Sequence, residues 1–162
     1  MTIRPYTGNA DGHHPKERPG TKRLAEYLEY LFGLKSLGIY ANRNKRSSNN
    51  LSVHATWRAM DLTGKGTAKE NAKARKAMVE FIVAHADALG IEAVFAYDGV
   101  GCPIPNLTIY GAGWKCDRDR WRPWGRMDNA GSPGATWTHI EISPKMADSK
   151  DLVDQAFAKI FK

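Results

Sequence analysis

Three side chains constrain this chain more than anything else in it: His54, Asp61 seven residues later, and His139 far downstream in Trp137-Thr138-His139-Ile140-Glu141. An imidazole, a carboxylate and a second imidazole from a remote strand are what a protein needs to hold Zn2+ by three side chains with the fourth position left for water. That is the layout of a catalytic zinc site. A closed structural site would want four protein ligands, usually rich in Cys, and only Cys102 and Cys116 are on offer. A fold that uses the three residues together must return the strand around His139 to the 54–61 segment. Taken alone, a His-x6-Asp spacing arises easily by chance, and a His on an apolar strand is commonly a hydrogen-bonded core residue.

The strand expected over Thr136–Ile142 sharpens the reading. Alternate side chains of a strand share a face, so Trp137, His139 and Glu141 point together while Thr138 and Ile140 point the other way. Glu141 is the only carboxylate on the ligand-bearing face. It is the candidate general base, or else the acceptor that fixes the tautomer of His139. Other bases could come from Asp117, Asp119 or Asp128.

The rest of the chain supplies a scaffold. Leu24, Leu28 and Leu31, with Tyr27 on the same side and Gly33 as a stop, predict an amphipathic helix over 21–32. Residues 41–50 read as a polar loop delivering the chain to His54. Thr67 and Glu70 form a capping box for a long helix over 68–89, with a buried stripe at Met78, Ile82, Ala86 and Leu89 and Gly90 as a left-handed cap. His85, beside that stripe, reads as structural. Ile91–Tyr97 has strand character, and Thr108–Tyr110 is a weaker candidate strand. Residues 98–134, dense in Gly, Pro, Trp and Arg, read as a functional loop that walls a binding site. Residues 150–161 predict a short C-terminal amphipathic helix.

At 162 residues and 42% hydrophobic content the chain is expected to form one domain, residues 21–162, behind an N-terminal arm over 1–20 that lies over the domain or is disordered. His13 and His14 fall in that arm and read as solvated. There is no apolar run of membrane-spanning length, and the N-terminus opens on polar residues, so neither membrane insertion nor a signal peptide is expected. A net charge of +7 favours a polyanionic partner, and charge alone does not choose among nucleic acid, membrane and bacterial wall. The basic residues are scattered and no nucleic-acid motif is present, so no specific nucleic-acid partner is expected. A monomer with free thiols is the expectation for the rest.

These residues also carry a resemblance. Ser52-x-His54 followed by Arg58-Ala59-x-Asp61 is similar to the S-x-H-x-x-G-x-A-x-D motif of D-alanyl-D-alanine carboxypeptidase (VanY-like) zinc peptidases, a group that extends to hedgehog-type zinc folds. The chain most resembles the peptidase domains of endolysins from phages of actinobacteria. The shared stretches are Gly38-Ile39-Tyr40 with Arg43, Ala84–Ile91, Trp121-Arg122-Pro123-Trp124 and His139-Ile140-Glu141, spread over about residues 20 to 145.

The resemblance implies an α+β fold in which a small antiparallel sheet, flanked by helices, carries Zn2+ on His54, Asp61 and His139. It implies hydrolysis of a D-amino-acid-containing bond in a peptidoglycan stem peptide, by a protein made in the host cytoplasm and acting on the wall at lysis. Arg43 stands where the pattern has an Arg and could hold a substrate carboxylate; a plain surface role is the alternative. Two departures lie close to the chemistry. The pattern's Gly is Trp57, and the acid and His that usually precede the last ligand, acting as or near the catalytic base, are Thr136 and Trp137. Trp57 and Trp137 are expected to narrow the cleft around the metal. A catalytically impaired relative acting as a wall-binding or virion protein is the competing reading.

Overall fold

The computed structural model describes residues 3–46, 48–128 and 132–162. The fold is α+β, with a six-stranded antiparallel sheet and five helices. Helix α1 (Pro19–Phe32) starts on a proline, which loses nothing in a first turn whose N–H groups have no helical partner, and ends at Gly33 with φ 65°. It leads into β1 (Leu34–Gly38), and a 3-10 turn (Val53–Thr56) then precedes β2 (Ala59–Gly64). Helices α2 (Ala68–Ala84) and α3 (Ala86–Leu89) follow, then β3 (Ile91–Ala96), β4 (Ala112–Lys115), β5 (Arg120–Pro123) and β6 (Thr138–Ile142). Helices α4 (Pro144–Ala147) and α5 (Lys150–Ile160) close the chain. No described helix is long and apolar enough to cross a membrane.

The strand order is β1-β2-β6-β3-β4-β5, so β6, near the end of the sequence, lies at the centre between β2 and β3. Period-two alternation gives the sheet two unlike faces. Met60, Leu62, Val94, Trp114, Ile140 and Ile142 turn to one side and join Leu24 and Leu28 of α1, Met78 and Ile82 of α2, and Val153 and Phe157 of α5 in a single core. Asp61, Phe95, His139 and Glu141 turn to the other side and line a cavity.

Several elements differ from expectation. The long helix is interrupted at His85, whose φ of −108° and ψ of 22° leave the helical region, although its predicted capping box and Gly90 cap are both present. Leu31 is 38% exposed, and the buried face of α1 runs instead through Thr21, Leu24, Ala25 and Leu28. Thr108–Tyr110 is not a strand; the segment expected to be irregular contains the β4–β5 hairpin instead. Trp114 explains that strand, because its indole fills the core beneath the sheet and pairs across to Trp121.

The N-terminal arm lies over the domain and is tied to it by charge. The guanidinium of Arg58 is fully buried and donates to Asp11, to Glu92, and to the carbonyls of Ile142 and Gly8. Asp11 also accepts from Arg18, which is 5% exposed and bonded to Asp148. Thr7 donates to Glu92 and Arg4 donates to the Ile91 carbonyl. A buried cation stripped of a partner costs far more than a surface one. Asp11→Ala is therefore expected to destabilise the protein by about 2–4 kcal/mol, read from the urea midpoint, with Asp11→Asn costing less.

Candidate metal centre

His54, Asp61 and His139 are delivered to one point by three elements. The 3-10 turn carrying His54 is capped by Ser52, whose hydroxyl accepts from the His54 N–H at 3.4 Å. Its other end turns on Trp57 in the left-handed region, φ 59°. The resembled pattern has Gly at this position, the residue for which that conformation carries no steric penalty. Asp61 of β2 and His139 of β6 are direct antiparallel partners, so their separation of 78 positions in the sequence costs the site no reach.

The outer nitrogens of both imidazoles are engaged with acceptors. His54 donates from Nδ1 to the Ile39 carbonyl at 2.9 Å, and His139 donates from Nε2 to Glu141 Oε1 at 3.0 Å. Those bonds fix the tautomers and leave His54 Nε2 and His139 Nδ1 as inward lone pairs. The two nitrogens are 3.2 Å apart, and Asp61 lies 2.9 Å from His139 Nδ1 and 3.3 Å from His54 Nε2. Three acceptors facing one another repel unless a cation or a proton sits among them. The three ligand atoms lie within 4.8 Å of one another, and the group can hold a metal ion.

The titration behaviour has the same cause. Burial disfavours the charged form of His139, but its bonds to Asp61 and Glu141, and their charges, outweigh that and raise its pKa to about 9. Burial pushes Asp61 up, yet His139 and His54 hold it well below the usual carboxylate range. Glu141 is likewise opposed by burial and kept low by His139, with help from Tyr6 and Lys115. Burial, reinforced by Glu141, raises Tyr6, so its hydroxyl stays a donor and gives its proton to Glu141 Oε2 at 2.6 Å.

The centre forms the floor of a cavity of about 430 Å³. Phe95, in register with His139, stacks on its ring at 5.1 Å, and Trp124 meets Phe95 edge-on at 5.1 Å. Gly113 permits this, because a Cβ there would come within 2.5 Å of the Trp124 ring. Arg43 and Trp137 line the cavity, Trp137 with its ring edge-on to Tyr97. Trp57 does not line it: its indole lies stacked on Tyr40 at 4.3 Å, and the expectation that it narrows the cleft is corrected. Its backbone conformation, set by the turn, directs the ring to Tyr40.

Asp128 lines the cavity, whereas Asp117, Asp119 and Thr136 do not. The Thr136 carbonyl is taken up by Thr63 and Asn71. His85 packs on Phe81, His13 bonds to Tyr40, and His14 bonds to the Lys16 carbonyl. Cys102 and Cys116 are free thiols. Sequence reasoning missed Tyr6 and Lys115. Nothing local marks a tyrosine in an arm as a partner of Glu141, and Lys115 is recognisable only once β4 is placed in the sheet. No family model, curated protein or solved structure matches this chain.

Three outcomes are expected. Because metal must displace the proton that His139 holds below about pH 9, affinity should fall about tenfold per pH unit on acidification from pH 8 to pH 6, measured with a competing chelator. In the metal-free protein the sign is reversed: the raised pKa contributes stability that is complete below about pH 6.5 and lost as pH rises through about 9. Glu141→Ala, which removes the acceptor for His139, should weaken metal binding about 10–100-fold, and Glu141→Gln should retain most of it.

Proposed function

We propose that this chain is a zinc-dependent peptidoglycan peptidase of the endolysin kind, with a hedgehog or D-Ala-D-Ala peptidase-like fold, that hydrolyses a D-amino-acid-containing bond of the wall stem peptide. The observation that carries the reading is the donor set: two imidazole lone pairs and a carboxylate converge, and each imidazole is oriented by an acceptor behind it. His₂-carboxylate sets of this composition suit Zn2+ and leave a position open to substrate or water. When bound, Zn2+ supplies a Lewis acid that polarises a carbonyl and lowers the pKa of water toward neutrality.

In this reading His54, Asp61 and His139 hold the ion, and Glu141 keeps the His139 ring in place by accepting from Nε2. Arg43 presents a guanidinium to a substrate carboxylate, and Trp137, Tyr97 and Phe95 exclude bulk water from the reacting bond. Glu141 and Asp128 are the cavity carboxylates outside the ligand set. Both Glu141 oxygens already accept hydrogen bonds, so a proton-transfer role for it is separable from its positioning role by substitution. The reading places synthesis in the host cytoplasm, action on the wall at lysis, and a monomer as the working form. The competing reading, a wall-binding or virion protein without turnover, draws on Thr136, which stands where the resembled pattern has an acid and lies outside the cavity lining.

The test is digestion of purified actinobacterial peptidoglycan with zinc-loaded protein and with chelated protein, followed by mass spectrometry of the fragments. New amino termini within the stem peptide that vanish with chelator and in His139→Ala support the proposal. If wild type releases no fragment under any metal condition, the wall-binding reading replaces it. Glu141→Gln and Asp128→Asn then assign proton transfer. Whichever variant keeps its zinc while losing at least about 100-fold in turnover carries that step.

A further inference from the structure

The cavity has a charge asymmetry that the metal chemistry does not use. Six cationic side chains line it, against the three carboxylates Asp61, Asp128 and Glu141. Asp61 belongs to the candidate metal group, Glu141 accepts from His139 and Tyr6 while its charge also acts on Lys115, and Asp128 lies 3.4 Å from Arg122, so three carboxylates are shared among six cations and the walls keep a cationic excess. The cations come from two places on opposite sides of the centre. Arg43, Lys45 and Arg46 follow β1, which is at one edge of the sheet, whereas Lys115, Arg118 and Arg122 belong to the β4–β5 hairpin at the other edge.

Register puts the second group on the metal's own face. Asp61, His139, Phe95, Gly113 and Arg122 are successive partners across β2, β6, β3, β4 and β5. One row away, Ala59, Glu141, Ala93 and Lys115 are likewise partners. Lys115 is half-buried, and burial pulls its pKa down. Its ammonium lies 3.8 Å from the centre of the Tyr6 ring, and among the described residues no carboxylate forms a salt bridge with it, whereas Arg118 and Arg122 lie 4.0 Å and 3.4 Å from Asp117 and Asp128 in pairs exposed enough for a bound anion to compete with. An ammonium partly withdrawn from water, lining a cavity and held against an aromatic ring, feels the charges of Glu141 and Asp117 but has neither in salt-bridge contact, which leaves its direct anion position to a ligand.

We infer that Lys115, with Arg118 and Arg122, forms an anion subsite for a carboxylate of an acidic peptide substrate, across the metal from Arg43. This rests on the peptidase reading for the identity of the ligand as a peptide. Strands lie about 4.8 Å apart, so two to three strand spacings separate β6 from β4 and β5, about 10–15 Å. An extended peptide covers that distance in three or four residues, less the reach of the lysine and arginine side chains. The substrate selected is thus a peptide with negative charge on both sides of the bond at the metal, and a peptide whose carboxylate on the hairpin side is amidated is a poor ligand.

The experiment uses the zinc-loaded full chain and synthetic stem peptides in three forms: both flanking carboxylates free, one amidated, and both amidated. Affinity is measured by calorimetry and cleavage separately by mass spectrometry. The inference expects amidation on the hairpin side to weaken binding at least tenfold, Lys115→Gln and Arg122→Gln to reduce that preference, and Lys69→Gln, an exposed cation of α2, to leave it intact. Because Lys115 also contacts Tyr6, zinc content is measured in each variant, and the peptide series in wild type stands independently of any variant's folding. Equal affinity for free and amidated peptides overturns the subsite even where cleavage occurs. A clear carboxylate preference without cleavage upholds the subsite and overturns the peptidase reading.

Discussion

The pairing of β2 with β6 is the constraint on which the rest of the structure depends. It sets Asp61 against His139 on one face of the sheet and Met60 against Ile140 on the other. A slip of one residue would turn the ligands into the core and the core residues into the cavity, exchanging two favourable environments for two costly ones. The register is therefore held by the hydrophobic layer beneath the sheet, in which Met60, Leu62, Ile140 and Ile142 are fully buried. Site geometry and core packing are two readings of one alternation.

The site was more legible in the sequence than the fold around it. His54, Asp61 and His139 were identifiable as a candidate group because residue type and order suit a metal site, and the strand period placed Glu141 beside His139. The capping box at Thr67 and the stripe through Met78, Ile82 and Leu89 were legible because a helix signals itself over many turns. β1 and β2 were not, because a sequence such as Leu34-Lys-Ser-Leu-Gly38 has no strong alternation and owes its strand to the neighbours it pairs with. The β4–β5 hairpin was hidden for a related reason: Ala112-Gly-Trp-Lys115 has weak β-propensity, and Trp114 becomes informative only when a core exists to receive it. The misplacement of Trp57 shows the limit of adjacency. A residue three positions from a ligand turned away because the backbone between them is a tight turn.

The arm presents the complementary case. Its composition is that of a segment with little to bury, yet Asp11 completes the surroundings of two buried guanidinium groups and Tyr6 completes those of Glu141. Ordering such a segment costs backbone entropy at every residue, and apolar burial within it offsets little of that cost. Ionic and hydrogen-bonded contacts to groups already desolvated by the domain are what hold it. The centre is in this sense supported from both ends of the chain, with the arm bonded to Glu141 and the C-terminal helices packed beneath the sheet.

The central position of β6 has a consequence for how the chain comes into being. As it emerges during synthesis, β2 and β3 are available long before residues 138–142, but each then has an open edge facing the gap that β6 will fill. Closing that gap joins segments about 80 positions apart, a long loop to fix before any contact rewards it. Until then His54 and Asp61 have no third ligand. A nascent or truncated chain that stops short of the last strand is thus prone to association through its unpaired edges and lacks the His139 side of the candidate metal group.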